Sequence, residues 1–386
     1  MEAKAIIPCL IVALAAAGCA TQGGAQVYIG TRGTAAAATA PAPAAGIWSA
    51  RLDRKSGQLS TPSLAAELRG ASWLVLHPAL PVLYSVGKPA GAKDNASNLY
   101  AFSIDAGTGR LEPLAQVPSG GHDTTQLYLD ARSSTIFGAS YGGGEVTAAP
   151  LLADGRVGEV AAVEKDYGTG PHPRQASPHA HGVVLDPSGR FLLSSDLGAD
   201  RIFVYRFDPK SRALAAADPA FETLAPGSGP RHMAFHPNGR FLYVNTELGA
   251  EVWTYAWDAG AGRLRFVAKR SAYPDGYAGN SRSTSEIAFS PDGRFLYVAL
   301  RGDQNSIVTY AVDPRSGALE EKQRISSQGL QPWAFALDPR GRWMLVANNA
   351  SGTVDVLAVD PRSGLLSAAH HSVSVPDACA VAFVLR

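Results

Sequence analysis

The sequence predicts an all-β protein, a seven-bladed β-propeller of four-stranded antiparallel blades closed by the C-terminal strand completing the first blade. Three observations predict it. One turn motif recurs in seven copies, at the spacing of roughly fifty residues typical of propeller arrays. Short apolar strands flank a second turn between those copies, with no amphipathic helix after the first residues. The two ends are complementary: the first repeat lacks its innermost strand, and the chain finishes on a strand with no partner of its own.

The N-terminal segment stands apart from this pattern. Lys4 precedes the apolar run AIIPCLIVALAAA, Ala5 to Ala17, which is short for a membrane span and of signal-peptide length. It leads into Ala16-Ala17-Gly18-Cys19, which resembles a bacterial lipoprotein box with Ala16 where Leu is usual. Residues 1–19 are therefore expected to be a signal peptide of lipoprotein type, with Cys19 as the lipidated residue. Ordinary cleavage after Ala20 and an uncleaved cytoplasmic chain are the competing readings. Either export route places the protein on the periplasmic side of the envelope; on the lipoprotein route it would touch the membrane only through a lipid at Cys19. Cys9 and Cys19 fall in this segment, so Cys379 is left alone and no intrachain disulfide framework is available.

Residues 20–26 read as a short linker and 27–386 as the propeller. The first blade opens at VYIGT, Val27 to Thr31, a middle strand. The low-complexity stretch AAAATAPAPAA, Ala35 to Ala45, interrupts that blade and reads as an exposed loop. The repeated turn follows as DRKSGQL from Asp53, DAGTGRL from Asp105, DGRV from Asp154, DPKSRAL from Asp208, DAGAGRL from Asp258, DPRSGAL from Asp313 and DPRSGLL from Asp360. Asp bonds the backbone ahead, Pro fixes φ, and Gly accepts positive φ. The second turn reads DPSGR from Asp186, HPNGR from His236, SPDGR from Ser290 and DPRGR from Asp338. Strands such as FLYV after Phe241 and after Phe295 lie beside it. The chain ends on Cys379 to Leu385, expected to close the ring.

Composition sets limits on function. Of 386 residues 46% are hydrophobic, enough for a sizeable core, and the formal net charge is +1. Overall charge gives no reason to expect a nucleic-acid partner, so anion binding must come from local clustering. The repeats locate such a cluster. Six residues before the turn proline stand Cys379, Ser72, Thr125, His181, Arg231, Ser285 and Trp333, from the first blade round. Ten after it stand Arg32, Lys88, Tyr141, Leu197, Glu247, Arg301 and Asn349. Neighbouring positions repeat as aliphatic or aromatic residues, but these two sets do not repeat, and most members are polar. In a propeller both sets fall at one mouth of the central channel. Arg32, Lys88, Arg231 and Arg301 would gather there with His181 around Glu247, an arrangement suited to a small anion.

At these residues the chain resembles the seven-bladed propeller lactonase family, whose members are similar to bacterial 6-phosphogluconolactonase and to the fungal muconate-lactonising enzyme. The motifs that carry the resemblance are PHAHGVVLDP from Pro178, DLGADRI from Asp196, GPRH from Gly229 with His236-Pro237, and the closing strand. It covers nearly all of the chain after residue 19. In the lactonising relatives the site is a His, two Arg and a Glu, which implies His181, Arg231, Arg301 and Glu247 here. Relatives often carry Ser/Asn-Arg-Gly/Ala where this chain has Ala299-Leu300-Arg301-Gly302-Asp303, so the grip around Arg301 is expected to differ.

Lactone hydrolysis needs an activated water, positive charge at the oxyanion, and a proton for the leaving hydroxyl. Glu247 is the expected base with Arg231 orienting it, and His181 the expected proton donor. Arg301, Arg32 and Lys88 would hold an anionic tail. His179 and Trp333 join the substrate-contacting candidates, Trp333 either stacking on a sugar ring or plugging the channel. Arg231 beside Glu247 would lower that carboxyl and weaken it as a base, and a purely structural ion pair is the alternative. His179 and His181 lack a third ligand at metal spacing, so neither metal nor cofactor is expected. His77 and His236, before turn prolines, read as structural, Gly142 to Gly144 as a turn, and Cys379 as a filler. Two function classes remain: a hydrolase of a small sugar or anionic lactone, and a non-catalytic envelope propeller that binds a small molecule or a protein partner. Export weighs against phosphorylated gluconolactone, a cytoplasmic metabolite, so the substrate is left unnamed.

Overall fold

The computed structural model describes residues 24–33, 45–92 and 95–384. The expected signal peptide with Cys19, most of the expected linker and the body of the low-complexity loop lie outside the described residues. Twenty-eight strands form seven four-stranded antiparallel sheets. In the first blade β28 (Ala378–Phe383) lies beside β1 (Gly24–Thr31), followed by β2 (Gly46–Asp53) and β3 (Ser63–Glu67). The chain ends thus share one sheet, as expected, and β1 begins ahead of Val27. The other blades take consecutive strands, innermost first. Their first two strands are β4 (Leu74–Leu76) and β5 (Val82–Gly87), β8 (Thr124–Asp130) and β9 (Thr135–Ser140), and β12 (Ala180–Leu185) and β13 (Phe191–Asp196). Next come β16 (Pro230–Phe235) and β17 (Phe241–Thr246), β20 (Thr284–Phe289) and β21 (Phe295–Leu300), and β24 (Pro332–Leu337) and β25 (Trp343–Asn348). The sole helical segment among the described residues is a 3-10 turn at Pro173–Gln175.

The core lies between blades. Side chains alternate along a strand, so each second strand serves two neighbours. Tyr243 packs with Leu296 and Val298 of the next blade, while Leu242 and Val244 pack with Leu193 and Val204 of the previous one. This is why FLYV is apolar without a break. Seven such clusters of buried apolar residues each join two adjacent blades.

The repeated turn docks onto the preceding blade. Asp313 accepts the Arg315 amide at 2.8 Å, and its carbonyl accepts the Gly317 amide at 2.8 Å. Gly317 and Gly364 have φ of 77° and 71°, and a Cβ there would overlap the rings of Phe241 and Phe295. Their carbonyls accept hydrogen bonds from Tyr243 (2.8 Å) and Tyr297 (3.0 Å), with Tyr28 and Tyr84 doing the same to Gly109 and Gly155. The motif repeats because each copy is pinned by the blade before it. The turn histidines are structural here: His77 and His236 accept backbone amides through Nδ1.

Each innermost strand except β4 breaks register once against its neighbour, and the extra residue is in turn Cys379, Thr125, His181, Arg231, one residue of the pair Ser285–Glu286, and Trp333. A bulge leaves one residue unpaired and re-aims its side chain. The non-repeating positions six before the proline are therefore the bulges. Those ten after it are the first residues beyond the second strands. The amides of Arg32, Lys88, Tyr141, Leu197, Glu247, Arg301 and Asn349 all bond back to the segment entering the innermost strand.

Replacing Gly364 by Ala forces a left-handed backbone and a clash with Phe295. It should lower stability by about 1–3 kcal/mol, read as a shift in the denaturant midpoint, with secondary structure otherwise unchanged. An unchanged midpoint would refute the docking role.

Candidate functional site

One cavity of about 440 Å³ collects most of the non-repeating positions: Arg32, Ser72, Lys88, Thr125, Tyr141, His181, Glu247, Arg301 and Trp333 all line it. Its lining carries four cationic side chains, Arg32, Lys88, Arg174 and Arg301, against the carboxylates of Glu247 and Asp123. Lys88 approaches Asp123 at 3.4 Å.

The bulge at Arg231 turns its side chain inward, where Nε meets Glu247 Oε2 at 2.9 Å. Arg301 Nη2 reaches the same oxygen at 2.8 Å, and Arg174 Nη1 holds Oε1 at 2.6 Å. Arg231 lies beneath the cavity, 2% exposed, and Glu247 is 5% exposed. This is a buried cluster, where breaking one partner leaves charge uncompensated. Burial by itself raises the Glu247 carboxyl, but Arg301, Arg231, His181 and Arg174 outweigh it and hold it well below the usual carboxylate range. Burial draws the Arg231 guanidinium down to about 10 against the pull of Glu247.

His181 occupies the bulge of β12, with Nε2 3.7 Å from Glu247 Oε2. Burial, then Arg231 and His232, lower its pKa well below the ordinary 6.5 against the opposing effect of Glu247. The contact is thus between a neutral ring and a carboxylate at neutral pH. His181 Nδ1 has no hydrogen-bond partner among the described residues.

The remaining predicted residues divide. Arg32 and Arg301 each lie 4.8 Å from the centroid of the Trp333 ring. His179 does not line the cavity: it stacks on Tyr141 at 4.5 Å and its Nδ1 meets the Tyr141 carbonyl at 2.6 Å, fixing that residue from behind. Cys379 is buried, its thiol pushed up by burial, with Sγ facing the carbonyls of Gly30 and Ala71. Leu197 contributes only backbone, and its carbonyl accepts Gln175 Nε2 at 2.8 Å. Among the described residues no three His, Cys, Asp or Glu side chains are placed to hold a metal ion.

Sequence reasoning missed Arg174, His232 and Glu286. Arg174 comes from the 3-10 turn, which His172 caps through Nδ1 while Gln175 bonds back to the His172 amide. Gln175 also bonds Asp200, which accepts the amides of Gly227 and Gly229 ahead of Arg231. The segment belongs to no repeat, so comparison of blades could not find it. His232 and Glu286 stand five before the turn proline, a further column that does not repeat and that the same comparison would have exposed.

A family model described as "Lactonase, 7-bladed beta-propeller" matches residues 26–383. The chain belongs to the seven-bladed β-propeller lactonase family. Membership places it among lactonase-type hydrolases. It is 33% identical to a 6-phosphogluconolactonase of Bacillus subtilis over 339 residues, 88% of this chain and 94% of that one. Among solved structures it is similar to a Pseudomonas aeruginosa protein described as a periplasmic gluconolactonase, with a TM-score of 0.86 and 36% identity over 94% of this chain and 99% of that one. A putative 6-phosphogluconolactonase of Bacteroides fragilis matches with a TM-score of 0.83 and 28% identity, over 95% and 99% of the two chains.

Replacing Glu247 by Gln leaves three guanidinium groups without their shared carboxylate and should cost about 3–5 kcal/mol. The depressed Glu247 carboxyl contributes stability that is complete above its ordinary value of 4.5 and lost as pH falls through the lower folded value. Denaturant titrations of both proteins at pH 7 and pH 3 should therefore show the gap shrinking in acid. A constant gap would contradict the clasp.

Proposed function

We propose that this propeller hydrolyses a small sugar lactone or a related anionic lactone in the cavity, at one mouth of the central channel. The observation that carries the reading is a neutral, buried His181 in the same cavity wall as a carboxylate gripped by three guanidinium groups. A carboxylate held so far below its usual range is a weak base, so the base role passes from Glu247 to His181. A water gives its proton to the imidazole as its oxygen attacks the lactone carbonyl carbon. Arg301 and Arg174 face the cavity and answer the negative charge on the tetrahedral oxygen. Glu247, close to His181 Nε2, stabilises the imidazolium that forms, as the buried carboxylate does in hydrolytic triads. When the ring C–O bond breaks, the imidazolium returns its proton to the leaving alkoxide and the hydroxy acid departs.

Arg32 and Lys88 bind an anionic substituent, and Trp333 holds Arg32 and Arg301 over its ring. His179 acts only through Tyr141. The Pseudomonas relative described as a periplasmic gluconolactonase supports a gluconolactone-type substrate and a periplasmic location. The leader at residues 1–19, with Cys19 as the lipid attachment point, fits the same location. No helix of the described residues is long and apolar enough to cross a membrane. The reading calls for no cofactor, metal or nucleic acid.

The test is hydrolysis of a panel of gluconolactone-type and carboxylated lactones, corrected for spontaneous opening. His181→Ala should lower kcat/KM by about 10²–10⁴-fold. Because protonation removes the base, wild-type activity should persist below pH 6.5 and fall only as pH drops through the depressed His181 value. Wild-type rates no faster than buffer across the panel would overturn the reading.

A further inference from the structure

Beneath the cavity lies a buried carboxylate that the chemistry above does not use. Glu286 follows Ser285 at the bulge of β20, and His232 follows Arg231 at the bulge of β16. The bulges turn consecutive side chains toward one point. Glu286 Oε1 meets His232 Nδ1 at 3.1 Å and accepts the Ile287 amide at 3.0 Å. Arg231 Nη1 lies across the face of the His232 ring, 3.1 Å from Nδ1 and 3.2 Å from Nε2. Arg231 Nη1 also donates to the Ser285 carbonyl. The His232 ring packs edge-on against His181 at 5.1 Å and against Trp73 at 5.1 Å. A carboxyl, an imidazole and a guanidinium are thus packed in succession, ending on the clasp of Glu247.

We propose that Glu286 is a positioning residue that acts through His232 on Arg231 and sets how much positive charge the site presents to a bound lactone. This rests on the lactonase reading. The charged and titratable groups around the pair are Arg231 on β16, His181 on β12, Glu247 after β17 and Arg301 after β21. With Glu286 protonated, Glu247 is the one carboxylate answering Arg231, Arg301 and Arg174, and two positive charges remain for the substrate anion and the oxyanion. With Glu286 ionised, Arg231 is shared by two carboxylates and the excess falls to one. Burial pushes the Glu286 carboxyl up to about 7 against the opposing effects of Arg231 and the Ile287 amide. The change therefore occurs in the neutral range, and activity declines as pH rises through it. Together with protonation of His181 in acid, the profile is bell-shaped.

The experiment is kcat/KM against pH, from 5 to 9, for a lactone that the wild type opens, in wild type and Glu286→Gln. The amide mimics the protonated carboxyl. Wild type should fall about tenfold from pH 6 to pH 9, while Glu286→Gln stays flat across that limb and matches wild type at pH 6. A purely structural Glu286 would alter stability and leave the limb in place, which would overturn the proposal. As a measurement needing no variant, the ring nitrogen shifts of His232 in the wild type should titrate with the same midpoint, and shifts constant from pH 5 to 9 would also overturn it. A wild type that opens no lactone would sink the lactonase reading and this proposal with it. An active wild type whose alkaline limb survives Glu286→Gln would sink this proposal alone.

Discussion

A single buried carboxylate organises the functional end of this molecule. Glu247 cannot be removed or protonated without stranding Arg231 and Arg301 in a place that water barely reaches and releasing the exposed Arg174. The three cations come from three different parts of the chain: a non-repeating loop, a bulged inner strand and the end of a second strand. Each alone would be repelled by the others. Glu247 makes their proximity tolerable, and that proximity leaves the cavity wall with more positive than negative charge. The cluster is poorly described as a stabilising device, because buried charge is at best a modest source of folding energy. On the proposed function its value is a preorganised field that needs no rearrangement when an oxyanion forms.

The blade scaffold can hold such a cluster because bulges separate two demands on one strand. Most of an inner strand must present a regular pattern to its neighbours. At one end, the extra residue escapes that pattern and is free to be His, Arg, Thr or Trp. Side-chain donors of one blade then fix the bulge of the next: Ser195 bonds the carbonyl of Arg231, Asn245 that of Ser285, and Ser285 that of Pro332, just before Trp333. Chemistry changes from blade to blade while the frame stays constant.

This separation explains what was legible in the amino-acid sequence. Blade number, the closing strand and the two rings of unusual positions were readable, since turn chemistry and strand alternation are local and recur. The gathering of Arg231 with Glu247 followed from the two sets of positions that do not repeat from blade to blade. The weakening of Glu247 as a base by Arg231 was legible as well. Its extent was not: Arg301 pulls hardest, and Arg174 adds to the pull from a loop with no counterpart in other blades, against the opposing effect of burial. His179 looked equivalent to His181 because strand periodicity puts them on one face, but the bulge at His181 breaks that period and sends His179 behind Tyr141.

The closing sheet also has a kinetic side. Gly30 and Cys379, which touch in the finished ring, are separated by 349 positions along the chain. A chain that emerges from its N-terminus can complete its other six blades as they appear, yet its first blade keeps an unpaired inner edge until the last strand has emerged. Contacts of such long range are slow to form, and an open β edge invites pairing with the wrong chain. Synthesis from the N-terminus therefore makes the first sheet begun the last one finished.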